Sequence, residues 1–240
     1  MSSKRERLYS WDDKSMSWYI NAVNYRSFHS DVAEMMLKKL PPRPRVCDIG
    51  CGIGALTRHL APRCESVLAM DLNPKPIAYL NGELQRHHVT NVRAVTDDFE
   101  KAAPPEKKYD AAVFCLAGGV SVFLELGKSW ADRLFFVENA TDKRSFSSVG
   151  KRGKEIYYNE DLELLKSSGL KFEHTFFTAP FGQVFRDRQD AMMFMRHYDK
   201  GENDEEINAF LDEHLEKINH PEFSLYLPNE KPLIMLYVEL

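Results

Sequence analysis

The sequence predicts a doubly wound α/β fold, in which a parallel sheet is covered on both faces by helices. Three observations predict it. Between residues 45 and 138, short apolar runs of strand length alternate with segments of helical periodicity. The first run leads into a turn, Gly50-Cys51-Gly52-Ile53-Gly54, that concentrates three of the chain's 12 glycines at alternate positions. Apolar residues make up 43% and charged residues 28% of 240 residues, enough core material for one α/β domain with additional helices.

The elements follow in order. Residues 28–40 read as an amphipathic helix with Phe28, Val32, Met35, Met36 and Leu40 on one face, stopped by Pro41-Pro42. RVCDI (45–49) is the first strand, and a helix starts at Gly54. SVLAM (66–70) is the second strand, with a helix after Asn73-Pro74. NVRAV (91–95), YDAAVFCL (109–116) and RLFFVE (133–138) are the next three, with a shorter helix near 120–130. Strands alternating with helices imply right-handed crossovers and a parallel sheet.

Beyond Glu138 the pattern changes. TDKRSFSSVGKRGKE (141–155) reads as a polar loop, and its KRGK run as a solvated basic stretch. A helix capped by Asn159 and ended by Gly169 follows. KFEHTFFTA (171–179) alternates as a strand, and Asp187 caps a Met- and Phe-rich helix up to about Tyr198. Asn203 starts another helix, with Ile207, Phe210, Leu211, Leu215 and Ile218 at helical spacing. KPLIMLYVEL (231–240) is a strongly apolar final strand, and no internal repeat is present.

Composition excludes several functions. A formal net charge of −4 gives no general electrostatic case for nucleic acid. The four cysteines (Cys47, Cys51, Cys64, Cys115) form no CxxC pair and no metal-ligand spacing, so reduced packing thiols and no metal are expected. The charged start lacks the apolar core of a signal peptide, and no apolar run approaches the roughly 18 residues needed to cross a bilayer. A soluble cytoplasmic protein, with no membrane partner, is the expectation.

VCDI is a strand and ALTRHLA a helix, so GCGIG is a strand-to-helix turn at the carboxyl end of a parallel strand. Open α/β sheets bind ligands there. Gly50 to Ala55 nearly satisfies the dinucleotide fingerprint, and Asp71, 21 residues past Gly50, stands where an acidic residue binds ribose hydroxyls. Asp48 separates the two nucleoside readings. A carboxylate aimed into the turn repels a pyrophosphate but suits a ligand with a cationic end, such as an amino acid ammonium.

DIGCGIG followed by MDLN resembles the first two motifs of class I S-adenosylmethionine-dependent methyltransferases. TDDF (96–99) and YDAAVFCLAGG (109–119) continue the match, which covers residues 46–138. The resemblance implies a Rossmann-like, seven-stranded, mostly parallel sheet with an antiparallel C-terminal strand and helices on both faces, preceded by an N-terminal helical lid. It implies one domain over 1–240: residues 1–40 as lid, 44–138 as the cofactor half, and 139–240 as substrate-side helices with the last two strands. The cofactor implied is S-adenosyl-L-methionine, with S-adenosyl-L-homocysteine as product.

Residue by residue, Gly50, Gly52 and Gly54 match the loop beneath the methionine and ribose parts, and Asp48 the acidic position near the amino end. Asp71 matches the acceptor for the ribose hydroxyls, with Leu72 packing on the adenine. Asp97 or Asp98 matches the carboxylate that meets the adenine amine, the other being a helix cap, and Phe99 follows. Cys115 and Leu116, ending the fourth strand, touch cofactor or substrate, or Cys115 is a buried packing thiol.

Methyl transfer from a sulfonium is an in-line displacement, for which the protein supplies alignment and a dry pocket. A general base is needed only if the acceptor must lose a proton, and none is assigned. Trp11, Trp18, Tyr19, Tyr25 and His29 crowd the N-terminal segment. In related enzymes such a segment closes over the cofactor, which makes Trp18, Tyr19, Tyr25 and His29 substrate-side candidates; otherwise these rings anchor the first helices. HTFFTAPFGQVF (174–185) falls where the family varies its substrate pocket, and it also fits an ordinary strand. His87-His88 falls at a helix end and is read as structural. CLAGG after the fourth strand is unlike the NPPY-type tetrad of amino-methylating DNA enzymes. The expected acceptor is therefore a small molecule methylated at O, N or S, with no nucleic acid, on a monomer or homodimer. A cofactor-binding subunit without turnover and a protein or RNA methyltransferase are the alternatives.

Overall fold

The computed structural model describes residues 11–140, 157–198 and 203–240. Two helices lead, α1 (Asp13–Tyr25) and α2 (Phe28–Leu37). Then come β1 (Arg45–Ile49), α3 (Ala55–Leu60), β2 (Ser66–Asp71), α4 (Pro74–Arg86), β3 (Val92–Thr96), β4 (Ala111–Cys115), α5 (Val120–Gly127) and β5 (Arg133–Asn139). The second half holds α6 (Tyr157–Ser168), β6 (Lys171–Pro180), β7 (Gln183–Phe185), α7 (Arg188–Tyr198), α8 (Asp204–His214), β8 (Glu216–Lys217), β9 (Leu225–Leu227) and β10 (Glu230–Glu239).

Seven strands form the main sheet in the order β3-β2-β1-β4-β5-β10-β6. The first five pair in parallel, and β10 runs antiparallel to both β5 and β6. This is the predicted architecture. Alternation along the strands sorts the core into two layers. Val46, Val113, Phe135, Val137 and Leu233 face α2 and α3, whereas Cys47, Ala112, Phe114, Phe136 and Ile234 face α5 and α6. All the strands β1 to β5 therefore present their carboxyl ends at one edge, and the antiparallel β10 brings its first residues to that edge.

Three boundaries differ from the sequence reading, the first being that of α2, which ends at Leu37 and leaves Leu40 off the helix. Asn159 lies inside α6, which starts at Tyr157, although Gly169 does end it with φ of +70°. Helix α8 stops at His214: Leu215 is already extended, and Glu216–Lys217 pair with β9 instead, so Leu215 and Ile218 are not on the helix. The polar loop and its KRGK run lie outside the described residues.

A second, three-stranded sheet, β7-β9-β8, has no counterpart in the sequence reading. With α7 and α8 it forms a separate apolar cluster inserted between β6 and β10. Trp18 of α1 fills that cluster. Only 3% of it is exposed. Its indole N–H donates to Asp190 at 2.9 Å, and its carbonyl accepts from Gln183 Nε2 at 3.1 Å. The first helix is thus fastened to the insertion by one aromatic side chain and two buried hydrogen bonds. Replacing Trp18 with Ala should cost roughly 3–5 kcal/mol of stability, read as a lower denaturant midpoint; an unchanged midpoint would show that this anchor does not hold the fold.

Candidate functional site

The site grows from the turn after β1. Gly50 and Cys51 N–H groups both donate to Met70 O, at 2.8 and 3.1 Å, so the turn hooks onto the end of β2. Gly50 and Gly54 have φ of +70° and +73°, a region where side-chain-bearing residues are strained. A Cβ on Gly50 would strike Ala117, and one on Gly54 would strike Leu80. These two glycines are needed for both conformation and space. Gly54 then starts α3.

Asp48 is buried beneath this turn, and its Oδ2 accepts from Thr57 Oγ1 of α3 at 2.5 Å. Burial pushes its carboxyl up to about 6, and the charge of Asp71 acts in the same direction. Asp71, at the end of β2, accepts from Gly52 N–H at 2.8 Å and from Asn73 N–H at 2.9 Å. Its carbonyl accepts from Asp97 N–H at 3.1 Å, which brings the exits of β2 and β3 together. Leu72 beside it is 63% exposed, an apolar side chain left open at the rim.

The structure distinguishes the two aspartates after β3. Asp98 accepts from Glu100 N–H at 3.1 Å and pairs with Lys101 at 2.8 Å, so its carboxylate closes the local turn. Asp97 is exposed and accepts from Asp98 N–H at 2.8 Å. Phe99 is buried against Phe114, Phe123 and Trp130 and belongs to the core. Cys115 is partly buried at the end of β4, and desolvation raises its thiol far above its ordinary range, as it does for Cys51. Among the described residues no group of three His, Cys, Asp or Glu side chains could hold a metal ion, and no helix is long and apolar enough to cross a membrane.

The N-terminal aromatics divide. Trp11 lies against Gly52, and its carbonyl accepts from Lys75 Nζ at 2.7 Å, so the segment before α1 covers the glycine turn. Tyr19 meets Trp11 edge-on and lies 3.4 Å from His29 Nε2. His29 is buried, its Nδ1 has no hydrogen-bond partner, and desolvation with the nearby Arg26 holds it well below the usual imidazole range. Trp18 points the other way, into the insertion, so it is an anchor and not a substrate-facing ring. Tyr25 is 40% exposed and lies edge-on to His220 and tilted against Tyr226, apart from the glycine turn.

Four charged residues at this edge escaped the sequence reading. Arg26 and Lys231 both lie against the Phe181 ring. Glu138, at the end of β5, faces Asp161 of α6 beneath Gly119. Asp161 also accepts from Ser121 N–H at 3.1 Å. Burial, with Asp161 beside it, pushes Glu138 up to about 8, so Glu138 holds its proton near neutrality. A glutamate at the end of a parallel strand was the one available signal. Because the folded-state pKa exceeds the unfolded value, this stabilisation is full below about 4.5 and is lost as pH rises through about 8. The stability of the wild type relative to Glu138→Gln should therefore fall between pH 5 and 9 in parallel denaturation curves; a constant difference would mean that the Glu138 carboxyl is not raised.

Known proteins resemble the segment that carries the glycine turn. Residues 46–123 match a family model described as a methyltransferase domain. A probable ribosomal RNA small subunit methyltransferase A from Methanosarcina acetivorans is 32% identical over 83 residues, covering 35% of this chain and 29% of the relative. A probable cobalt-precorrin-6B C(15)-methyltransferase (decarboxylating) from Methanothermobacter thermautotrophicus is 38% identical over 73 residues, covering 30% of this chain and 38% of the relative. The chain thus spans about a third of the length of these curated relatives. The solved structure of a precorrin 8w decarboxylase from Methanobacterium thermoautotrophicum shares the fold, with a TM-score of 0.51 at 19% identity over 88% of this chain and 90% of that one. Residues 46–123, which carry the glycine turn and Asp71, are thus similar to a methyltransferase domain, and the chain shares the fold of that solved structure.

Proposed function

We propose that the protein transfers a methyl group from S-adenosylmethionine to an oxygen, nitrogen or sulfur atom of a small acceptor. The observation that carries this reading is the pair of carboxylates on either side of the glycine turn, Asp48 at the end of β1 and Asp71 at the end of β2. The residues present fit the cofactor. Asp48 offers a buried carboxyl to an ammonium, and Asp71 keeps free lone pairs for a ribose diol. Gly50, Gly52 and Gly54 supply a side-chain-free floor, the exposed Leu72 an apolar surface for adenine, and Asp97 an acceptor for its amine. Asp98 and Phe99 support that wall from behind, and Cys115 closes the floor at β4. When bound, the cofactor supplies an electrophilic methyl group on a sulfonium. The chain's part is to align the acceptor and keep water out, with α1 and the preceding Trp11 drawn across the turn.

Within the single domain proposed for the chain, Tyr19 and His29 stand on the substrate side of this seat. The small-molecule reading is supported by Cys115-Leu116-Ala117-Gly118 after β4, which lacks an NPPY-type tetrad, and by the acidic net charge. RNA is the second reading, because one relative is named as a ribosomal RNA methyltransferase. The expectation against nucleic acid has no support from the comparisons. Incubation with methyl-labelled cofactor, against a metabolite extract in one arm and ribosomal RNA in the other, tests the two. Label in small molecules alone is the expected result. Label in RNA alone would establish the second reading, and label in neither would favour binding without turnover. Asp71→Ala should weaken cofactor binding by about 1–3 kcal/mol through lost charge-assisted hydrogen bonds; unchanged affinity would remove Asp71 from the seat.

A further inference from the structure

Two cations sit on one aromatic ring at the edge of the site. Arg26, the C-cap of α1, places its guanidinium carbon 3.8 Å from the centroid of Phe181. Lys231, near the start of β10, places Nζ 4.5 Å from the same centroid. Phe181 follows β6 and packs on Phe28 of α2, so α1, α2, β6 and β10 all converge here. Among the described residues, no carboxylate lies within ion-pair distance of either cation. Arg26 has only a long hydrogen bond to Gly182 O, at 3.5 Å, and its buried Nε has no partner. His29, three residues on, has the unpartnered Nδ1 described above.

Such a cluster is costly. Like charges in a partly desolvated place repel, and each loses hydration without gaining an opposite charge. Stacking on Phe181 offsets part of that cost but supplies no anion. Nor do the remaining neighbours. Burial holds the Tyr226 phenol above its ordinary range, and Cys115, beside Lys231, is likewise held as a neutral thiol by burial. The repulsion registers on Lys231, whose ammonium is pushed down to about 8 by desolvation and Arg26. The cluster lies beside Cys115, at the exit of β4 and therefore at the proposed cofactor seat.

We propose that Arg26 and Lys231 form an oxyanion-binding subsite for the methyl acceptor, which carries a carboxylate or a phosphate monoester. The proposal rests on the methyltransferase reading for the identity of the guest, but the anion site itself is testable without turnover. Arg26 can offer a planar pair of N–H donors and Lys231 a point charge beside the same ring. A single oxyanion seated between them would satisfy both, and would give the orphaned Nε a partner.

The test uses the protein saturated with S-adenosylhomocysteine, whose own binding is measured first. Thermal melting is then followed with millimolar inorganic phosphate, benzoate or the neutral benzamide, at ionic strength matched with sodium chloride. Phosphate or benzoate should raise the melting temperature and benzamide should not, the larger shift identifying the headgroup. Lys231→Met and Arg26→Gln should each weaken the anion response about tenfold or more, as expected for a lost charge-assisted contact, while Lys231→Arg keeps it. Lys231→Met should also melt higher than wild type without anion, because it relieves the repulsion, whereas a merely structural lysine would give no such gain. An absent anion response in wild type, or one retained in both charge-removing variants, overturns the proposal. So does a loss of S-adenosylhomocysteine affinity in the variants with the anion response intact, since the pair would then serve the cofactor. Failure of wild type to bind S-adenosylhomocysteine contradicts the methyltransferase reading instead, and the anion arms are still read in the same melts.

Discussion

One hydrogen bond ties the site together: the Gly52 N–H donates to Asp71 Oδ2 at 2.8 Å. It joins the turn after β1 to the end of β2, and it fixes where the carboxylate stands. The bond can form only because Gly50 and Gly54 hold the turn in the left-handed region, with Ala117 on one side and Leu80 on the other. The parallel pairing of β1 with β2 sets the two strand ends level, Ile49 beside Met70. Met70 O then receives two further N–H groups from the turn. Chain direction, glycine conformation and acidic side chain are thus one mechanical unit. Removing any of them releases the others.

Around that unit the electrostatics are asymmetric. Acidic groups collect on the β1–β2–β3 side, where Asp48, Asp71 and Asp97 converge, and cations collect on the β4–β10 side, where Arg26 and Lys231 share Phe181. A ligand cationic at one end, meeting a partner anionic at its far end, suits such a field. The insertion between β6 and β10 makes this possible. It fastens α1 through Trp18, and α1 in turn carries Tyr19 and Arg26 to the edge of the sheet.

The first half of the chain was legible because its local signals agree. Strand-length apolar runs, the Asn73-Pro74 helix start and the glycine turn all specify the same βα units, and each element is found where its residues predict it. The second half was less so. Leu215 and Ile218 keep helical spacing, but pairing of Glu216–Lys217 with β9 overrides it, a tertiary effect no local pattern carries. Trp18 looked like a ligand-facing ring because aromatics in a lid and aromatics in an anchor have the same composition; only the partner, Asp190, 172 residues away, separates them. Arg26 and Lys231 left no trace in the sequence, since a cation before an apolar strand ordinarily marks a solvated end. Asp97 and Asp98 are alike in the sequence and differ only in the fold, where the Asp98 carboxylate closes the turn toward Lys101.

The central claim is that the glycine turn, with Asp48 beneath it and Asp71 beside it, seats an amino-acid-bearing nucleoside and not a pyrophosphate. Calorimetric titration of the intact protein with S-adenosylhomocysteine, and separately with NADH, tests it most directly. Binding of S-adenosylhomocysteine in the micromolar range, roughly −8 kcal/mol, with no heat from NADH, is the predicted result. Saturable binding of NADH with none of S-adenosylhomocysteine would contradict the account.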